Sequence, residues 1–183
     1  FVHTAIDFKS SPVTAQITSE ITLTASDENV TIRQYYMPKS TAAAQESWRL
    51  LCEQTVSADT TGDKKIALTA AITDPLLWDT EEAHLYILKT QLYQDNTLLD
   101  ETETTFGIRE AVFKKDGFYL NGRKLRIRGL NRHQSFPYVG YAMPKSMQRL
   151  DADLLKKELG LNAVRTSHYP QSHYFLERCD ELG

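Results

Sequence analysis

The sequence predicts an all-β sandwich of the immunoglobulin-like kind over residues 1–107, followed by the opening βαβα stretch of a parallel α/β fold over 108–183. Three observations carry this. Apolar residues recur with period two through the first hundred positions. An Asn-Gly hairpin signal then breaks the pattern at Asn121-Gly122. After it, short strands alternate with helical stripes. The 183 residues, 41% hydrophobic and 25% charged, allow one complete domain and part of a second.

The strands follow in order. Ile21, Leu23 and Ala25 alternate with threonines, as Val30 and Ile32 do with Thr31 and Arg33. Trp48, Leu50 and Cys52 are expected on one face of the next strand. Ile66, Leu68, Ala70 and Ile72 share a face, as do Tyr86, Leu88, Thr90 and Leu92. Such alternation buries one face and wets the other. Turn-forming runs separate the strands at Ser26-Asp27-Glu28-Asn29, Asp59 to Asp63 and Asp95-Asn96. Short strands at this spacing suggest two packed antiparallel sheets.

Beyond Phe106-Gly107 the rhythm changes. Phe118 to Leu120, Asn121-Gly122 and Arg123 to Arg128 make a hairpin, with Leu125 and Ile127 continuing a strand into Gly129. A polar and aromatic loop runs from Asn131 to Met143. Ser146 is the expected N-cap of a helix whose inward stripe is Met147, Leu150, Leu154, Leu155 and Leu159, with Gly160 ending it. Asn162 to Thr166 is the next strand. Ser172 is the expected cap of a second helix that turns Phe175, Leu176, Cys179 and Leu182 inward and ends at Gly183. Two such units cannot close a barrel, which needs about eight strands. The sequence therefore reads as cut after its second α/β unit.

Several function classes fall away. The net charge is −3, and the 21 basic residues form no dense run. The local excess at Arg123, Lys124, Arg126, Arg128 and Arg132 lies on a hairpin and strand and reads as solvated charge, so no nucleic-acid partner is expected. No apolar run approaches the ~20 residues that cross a bilayer, so no membrane partner is expected. Cys52 and Cys179 read as separate thiols, which fits a reducing compartment and favours the cytoplasm. The chain opens on Phe1-Val2-His3 without an initiator methionine. That start reads as internal to a longer protein, so the missing signal peptide is uninformative. His168 and His173 have Pro170 between them and no further ligand at metal spacing, so neither a metal nor a cofactor is expected in this stretch.

Chemistry is expected where strands give way to loops. Gly129-Leu130-Asn131-Arg132-His133-Gln134 and Arg165-Thr166-Ser167-His168-Tyr169-Pro170 each present a histidine with an arginine nearby. Imidazole and guanidinium suit a polyhydroxylated or anionic ligand. Tyr138 and Tyr141 add aromatic surface. A free-standing sandwich used for adhesion or carbohydrate binding is the competing reading, and the two equivalent His-bearing loops argue against it.

The motif NAVRTSHYP, Asn162 to Pro170, with the Cys179-Asp180 pair and Gly183 after it, resembles the first signature of glycoside hydrolase family 2, the β-galactosidases and β-glucuronidases. FYLNGRKLRIRGLNRHQ, Phe118 to Gln134, is similar to the start of that family's catalytic barrel. DPLLWDTEEAHLYIL from Asp74 and TFGIR from Thr105 resemble the closing strands of its immunoglobulin-like domain. The resemblance implies a (β/α)8 TIM barrel and a retaining glycosidase, a β-galactosidase first and a β-glucuronidase second. It implies that His133 and His168 contact the sugar, that Arg165 stands beside the nucleophilic carboxylate, and that Asn131 and Arg132 belong to the same substrate site. Retaining hydrolysis needs two carboxyl groups about 5 to 5.5 Å apart. The acids of the second half are Glu110, Asp116, Asp151, Asp153, Glu158, Glu177, Asp180 and Glu181, all expected in turns or on helices. The resemblance places the catalytic glutamates beyond Gly183 and a jelly-roll domain before Phe1, so this chain alone is expected to be inactive. Barrel-facing Ile127 and Val164 and the leucine stripe are expected to drive self-association through 108–183, or to fold this segment back onto the sandwich.

Overall fold

The computed structural model describes residues 1–24, 28–39, 47–57 and 62–183. Ala25, Ser26 and Asp27 of the turn at Ser26 to Asn29, and most of that at Asp59 to Asp63 lie outside the described residues. The chain packs as two units. The first comprises Phe1–Leu77 with His84–Glu110, and the second Trp78–Ala83 with Ala111–Gly183.

The first unit is an immunoglobulin-like sandwich. One sheet holds β1 (Val2–Asp7), β2 (Thr14–Leu23) and β5 (Lys64–Thr73), in the order β1-β2-β5. The other orders β3 (Val30–Pro38), β4 (Arg49–Val56), β6 (Leu85–Gln94) and β7 (Thr97–Gly107) as β4-β3-β6-β7. Every pairing in these two sheets is antiparallel. The expected alternation fills the space between them. One cluster joins Ala15, Ile17, Ile72, Tyr86, Leu88, Phe106 and Ile108, and a second joins Val30, Ile32, Val56, Ile66 and Leu68. Burying one such side chain is worth about 1.5 to 3 kcal/mol, so the layers are held mainly by apolar area.

The strand expected to turn Leu50 inward does not. The β3–β4 register slips between Gln34 and Tyr35, pairing Cys52 with Gln34 but Leu50 with Tyr35. The extra residue, Leu51, packs on the first cluster, while Leu50 is 58% exposed. A β-bulge reverses the alternation that composition alone predicts.

In the second unit, β8 (Ala111–Lys114), β9 (Gly117–Leu120) and β10 (Arg123–Leu125) form an antiparallel sheet. Asn121 and Gly122 join β9 to β10 at φ 50° and 74°, the positive pair that a type I′ turn requires. The predicted continuation to Arg128 is not strand. The next strand is β11 (Gly129–Arg132), paired in parallel with β12 (Ala163–Thr166). Gly129 makes this pairing possible, since a Cβ there would lie 2.6 Å from the Ala163 carbonyl oxygen. Helix α1 (Lys145–Asp153), continued by a π-helical turn at Leu154–Glu158, links the two strands, and α2 (His173–Leu182) follows β12.

The helices lie where the sequence places them, with corrections at their caps and on their inward faces. Pro144, not Ser146, is the N-cap of α1, and its carbonyl accepts the Met147 and Gln148 N–H groups. Ser172 does cap α2, but through its carbonyl, with no side-chain cap bond. The inward face of α1 is also rotated. Gln148 and Ala152 are buried, while Leu150, Leu154 and Leu159 are exposed. Val164, expected to face a barrel interior, lines a helix-side pocket with Ala152, Leu155 and Cys179. On α2, Phe175 is fully buried and Leu176 points out. No helix among the described residues is long and apolar enough to cross a membrane.

The segment Trp78–Ala83 is pinned within the second unit. Trp78 Nε1 donates to the Asp180 carbonyl at 2.7 Å, Asn121 Nδ2 to the Trp78 carbonyl at 3.0 Å, and Arg123 to Asp79 at 2.6 Å. Lys156 Nζ donates to the carbonyls of Thr80 and Gly183, capping the end of α2. The expected solvated charge is thus partly paired: Arg123 to Asp79, Lys124 to Asp116 and Arg132 to Asp151.

Candidate functional site

Parallel pairing brings the C-terminal ends of β11 and β12 side by side, with Asn131 opposite Arg165 and Arg132 opposite Thr166. Asn131 and Arg132, expected on a loop, are therefore strand residues, Arg165 lies on the strand expected at Asn162 to Thr166, and alternation decides which way each points. Asn131 and Arg165 share one face and are exposed, and Arg165 Nη1 donates to Asn131 Oδ1 at 3.3 Å. Arg132 points the other way.

The two histidines meet just past the strand ends. Their ring centroids are 5.8 Å apart with planes at 80°, and both residues are exposed. Tyr169, which the sequence reading did not single out, brings its ring 6.3 Å from that of His133. Its hydroxyl accepts the Gln134 N–H at 2.7 Å, strapping one loop to the other. Gln134 Oε1 accepts the Ser172 N–H at 2.7 Å as a second strap. The rim thus offers two imidazoles, one guanidinium, one amide and one aromatic ring. Such a set can bond vicinal hydroxyls or a carboxylate with fixed directions.

Arg132 stands apart from this set. It is 4% exposed, and its guanidinium donates to Asp151 at 2.6 Å, to Gln148 at 2.8 Å and to Gln171. The strand's alternation aims it at the helices, where these acceptors occupy its donors. No motif in the sequence signals the Gln148 and Gln171 contacts.

In the loop after His133, Phe136 and Gly140 exchange backbone bonds of 3.0 and 2.9 Å. Tyr138, at φ 70°, and Tyr141 project into solvent there. Ser167 is fully buried, its N–H donates to the Arg132 carbonyl at 3.0 Å, and its peptide bond to His168 is cis.

No carboxylate among the described residues belongs to this rim. Asp151 and Asp153 are on α1, Glu177, Asp180 and Glu181 on α2, and Glu158 on the π-helical turn. Arg178 bonded to Asp153 holds that carboxyl below its ordinary value. Among the described residues no three His, Cys, Asp or Glu side chains converge as a metal would require.

Comparison with known proteins agrees with both units. The family model described as glycosyl hydrolases family 2 matches residues 1–109, and its TIM barrel domain matches 111–183. The β-galactosidase of Thermoanaerobacterium thermosulfurigenes is 63% identical over 110 residues, 60% of this chain and 15% of that protein. The β-galactosidase of Thermoanaerobacter pseudethanolicus is 49% identical over 135 residues, 73% of this chain and 18% of that protein. The crystal structure of a Bacteroides uniformis β-glucuronidase superposes with a TM-score of 0.76 at 29% identity, over all of this chain and 22% of that one. The chain thus spans less than a fifth of the length of those two curated relatives. With one family matched along both the sandwich and the β11–α1–β12–α2 start of a barrel, the chain belongs to glycosyl hydrolases family 2.

Proposed function

We propose that the protein carrying this chain is a retaining glycosidase that removes a terminal β-linked galactose, and that His133, His168, Arg165 and Asn131 contact the sugar. One observation carries the reading: two imidazoles stand 5.8 Å apart at the ends of adjacent parallel strands, where barrel enzymes bind ligands. The two β-galactosidase relatives support galactose as the sugar. A β-glucuronide is the second reading, supported by the likeness to the B. uniformis enzyme and by an exposed guanidinium able to bind a carboxylate.

The roles follow from the chemistry of the groups. A neutral imidazole both donates and accepts, so His133 and His168 orient sugar hydroxyls. Arg165, held by Asn131, stabilises the charge of a neighbouring nucleophilic carboxylate. The nucleophile and the acid/base come from other parts of the protein, because this rim holds no carboxylate, and the 183 residues alone turn over no glycoside. The residues of this stretch call for no cofactor, and the exposed leucines of 108–183 make that half an association surface.

The test is hydrolysis of nitrophenyl β-galactoside and β-glucuronide by the full-length protein and its His168→Ala variant. Contacts that tighten in the transition state dominate at such a position. A loss in kcat/KM of about a hundredfold, ~2.7 kcal/mol, is expected with little change in melting temperature. A large drop in stability with unchanged kcat/KM would make His168 structural.

A further inference from the structure

Arg132 is the last residue of β11, one peptide bond before His133. Its side chain is tied on three sides. Nε donates to Asp151 Oδ2 at 2.6 Å and Nη2 to Gln148 Oε1 at 2.8 Å, both on α1, which follows the His133 loop. Nη1 donates to Gln171 Oε1, in the loop that carries His168. The guanidinium carbon lies 3.7 Å from the centroid of the Phe175 ring on α2. The main chain of the same residue adds a fourth tie, its carbonyl accepting the Ser167 N–H at 3.0 Å, one residue before His168.

An apolar side chain could fill this volume without the cost of desolvating a charge, and burying an ion pair is a poor way to gain stability. A rigid fork supplies what a methionine could not. It fixes the directions of several acceptors at once, whereas packed leucines leave neighbouring elements freer to slide. The groups it fixes belong to the two loops that bear the imidazoles. A misplacement of about 1 Å at such groups can cost on the order of a hundredfold in rate.

We propose that Arg132 is a positioning residue, whose buried guanidinium sets the separation of the His133 and His168 loops so that both imidazoles meet one ligand. It touches no sugar itself. The inference rests on the sugar-site reading for its purpose, and its geometry can be tested without it.

Two variants of the full-length protein make the test. Arg132→Lys keeps a positive charge for Asp151 but offers one nitrogen where the fork used three. Gln171→Met removes the arm to the His168 loop, along with that side chain's own 3.2 Å bond to the Tyr169 carbonyl, and leaves the Asp151 pair intact. Acylation of each histidine by diethyl pyrocarbonate is followed by mass spectrometry, with His3 and His84 of the sandwich as references. The acylation rates of His133 and His168 should change about twofold or more in both variants while the references hold. With a nitrophenyl β-galactoside, kcat/KM should fall about tenfold or more, and for Gln171→Met without a matching loss of melting temperature.

Unaltered acylation of both histidines in the variants overturns the proposal. So does a kcat/KM loss in Gln171→Met that only tracks lost stability. If Arg132→Lys does not fold, Gln171→Met decides. If the wild-type protein cleaves no β-glycoside, the sugar reading fails and the acylation rates alone decide the positioning role.

Discussion

Gln34 in the sandwich and Arg132 in the α/β unit occupy the same kind of place, a polar side chain buried where layers meet, yet their surroundings differ. Gln34 accepts from Ser19 Oγ at 2.9 Å across the sheets and donates to Thr90 Oγ1 at 3.0 Å within its own. The clusters around it are apolar, so this neutral hub fixes alignment while burial of area supplies cohesion. Around Arg132 the buried residues include Gln148, Ser167 and Phe175. A second set of charges joins the helices, with Arg178 bonded to Asp153 and Glu181, and Arg149 to Glu181. Several large leucines of this unit face solvent. Cohesion in the sandwich therefore rests on buried apolar area, its ion pairs such as Arg33–Glu53 and Lys89–Glu103 lying at the surface, whereas the α/β unit holds an ion pair in its interior.

The strongest way to break this comparison is to remove the anion beside the buried cation. Asp151→Ala leaves Arg132 uncompensated and should cost about 3–5 kcal/mol. The loss should be local. Hydrogen exchange should lose protection over residues 129–182 and keep it in β2, β5 and β6. Equal loss in the sandwich would show that the units do not have independent hubs.

The same contrast explains what the sequence could reveal. Period-two alternation reads the sandwich well because its interior follows hydrophobicity; among the described residues the bulge at Leu51 defeats it, being a matter of register. In the α/β unit the β9–β10 hairpin, β12, both helices and both histidine loops are legible from spacing and turn signals, whereas β8 goes unread and β11 lies in an expected loop. The inward face of α1 is not legible, because Gln148 and Ala152 are buried there whereas apolar periodicity points to Leu150, Leu154 and Leu159; on α2 the expected Phe175 is buried and only the expected Leu176 faces out. The strand bounds differ as well: Asn131 and Arg132 are strand rather than loop residues, so that Asn131 faces the rim beside Arg165 and Arg132 faces the helices. Tyr169 was in plain view within SHYP, but its strap to Gln134 is a long-range bond that no local pattern announces.

A smaller effect sharpens the neutral side. Gln34→Ala strands the Ser19 and Thr90 hydroxyls and should cost about 1–3 kcal/mol. A lowered urea midpoint with unchanged slope would register this as lost stability. Adding Ser19→Ala removes a buried orphan and should recover part of the loss. No recovery would mean that Gln34 acts through packing alone.

Titration bears on the α/β unit from both directions of pH. Arg178 bonded to Asp153 lowers that carboxyl's folded value. The contribution is therefore present above the unfolded carboxylate range and is lost as pH falls through the lower folded value, so acid should open the helices first. Burial, with the charge of Asp180, pushes the Cys179 thiol up from 9.0 to about 11. Its contribution is full below about 9 and is lost as pH rises through about 11. Cys179 should therefore resist iodoacetamide at pH 8, and thiolate absorbance should rise only as the α/β unit loosens in alkali. Alkylation at the rate of a free thiol would show the helix pair to be open.

The smallest effect is one of sign. Ser19 and Ser167 are both buried serines beside a hub, but Ser19 Oγ donates to Gln34, while among the described residues Ser167 Oγ is the one buried side-chain atom without a partner. A buried hydroxyl that gains no bond in the fold has given up its water for nothing, whereas a partnered one contributes about 1 kcal/mol net. Truncation to alanine should therefore act oppositely at the two sites. Ser19→Ala should lose about 1 kcal/mol, and Ser167→Ala should be neutral or gain up to about 1 kcal/mol, since its backbone bond to Arg132 survives. Chemical denaturation of the two single variants in parallel makes the comparison internal. If Ser167→Ala is as costly as Ser19→Ala, the Ser167 hydroxyl has a partner in solution. The polar hub of the α/β unit would then reach past Arg132 to the residue adjoining His168.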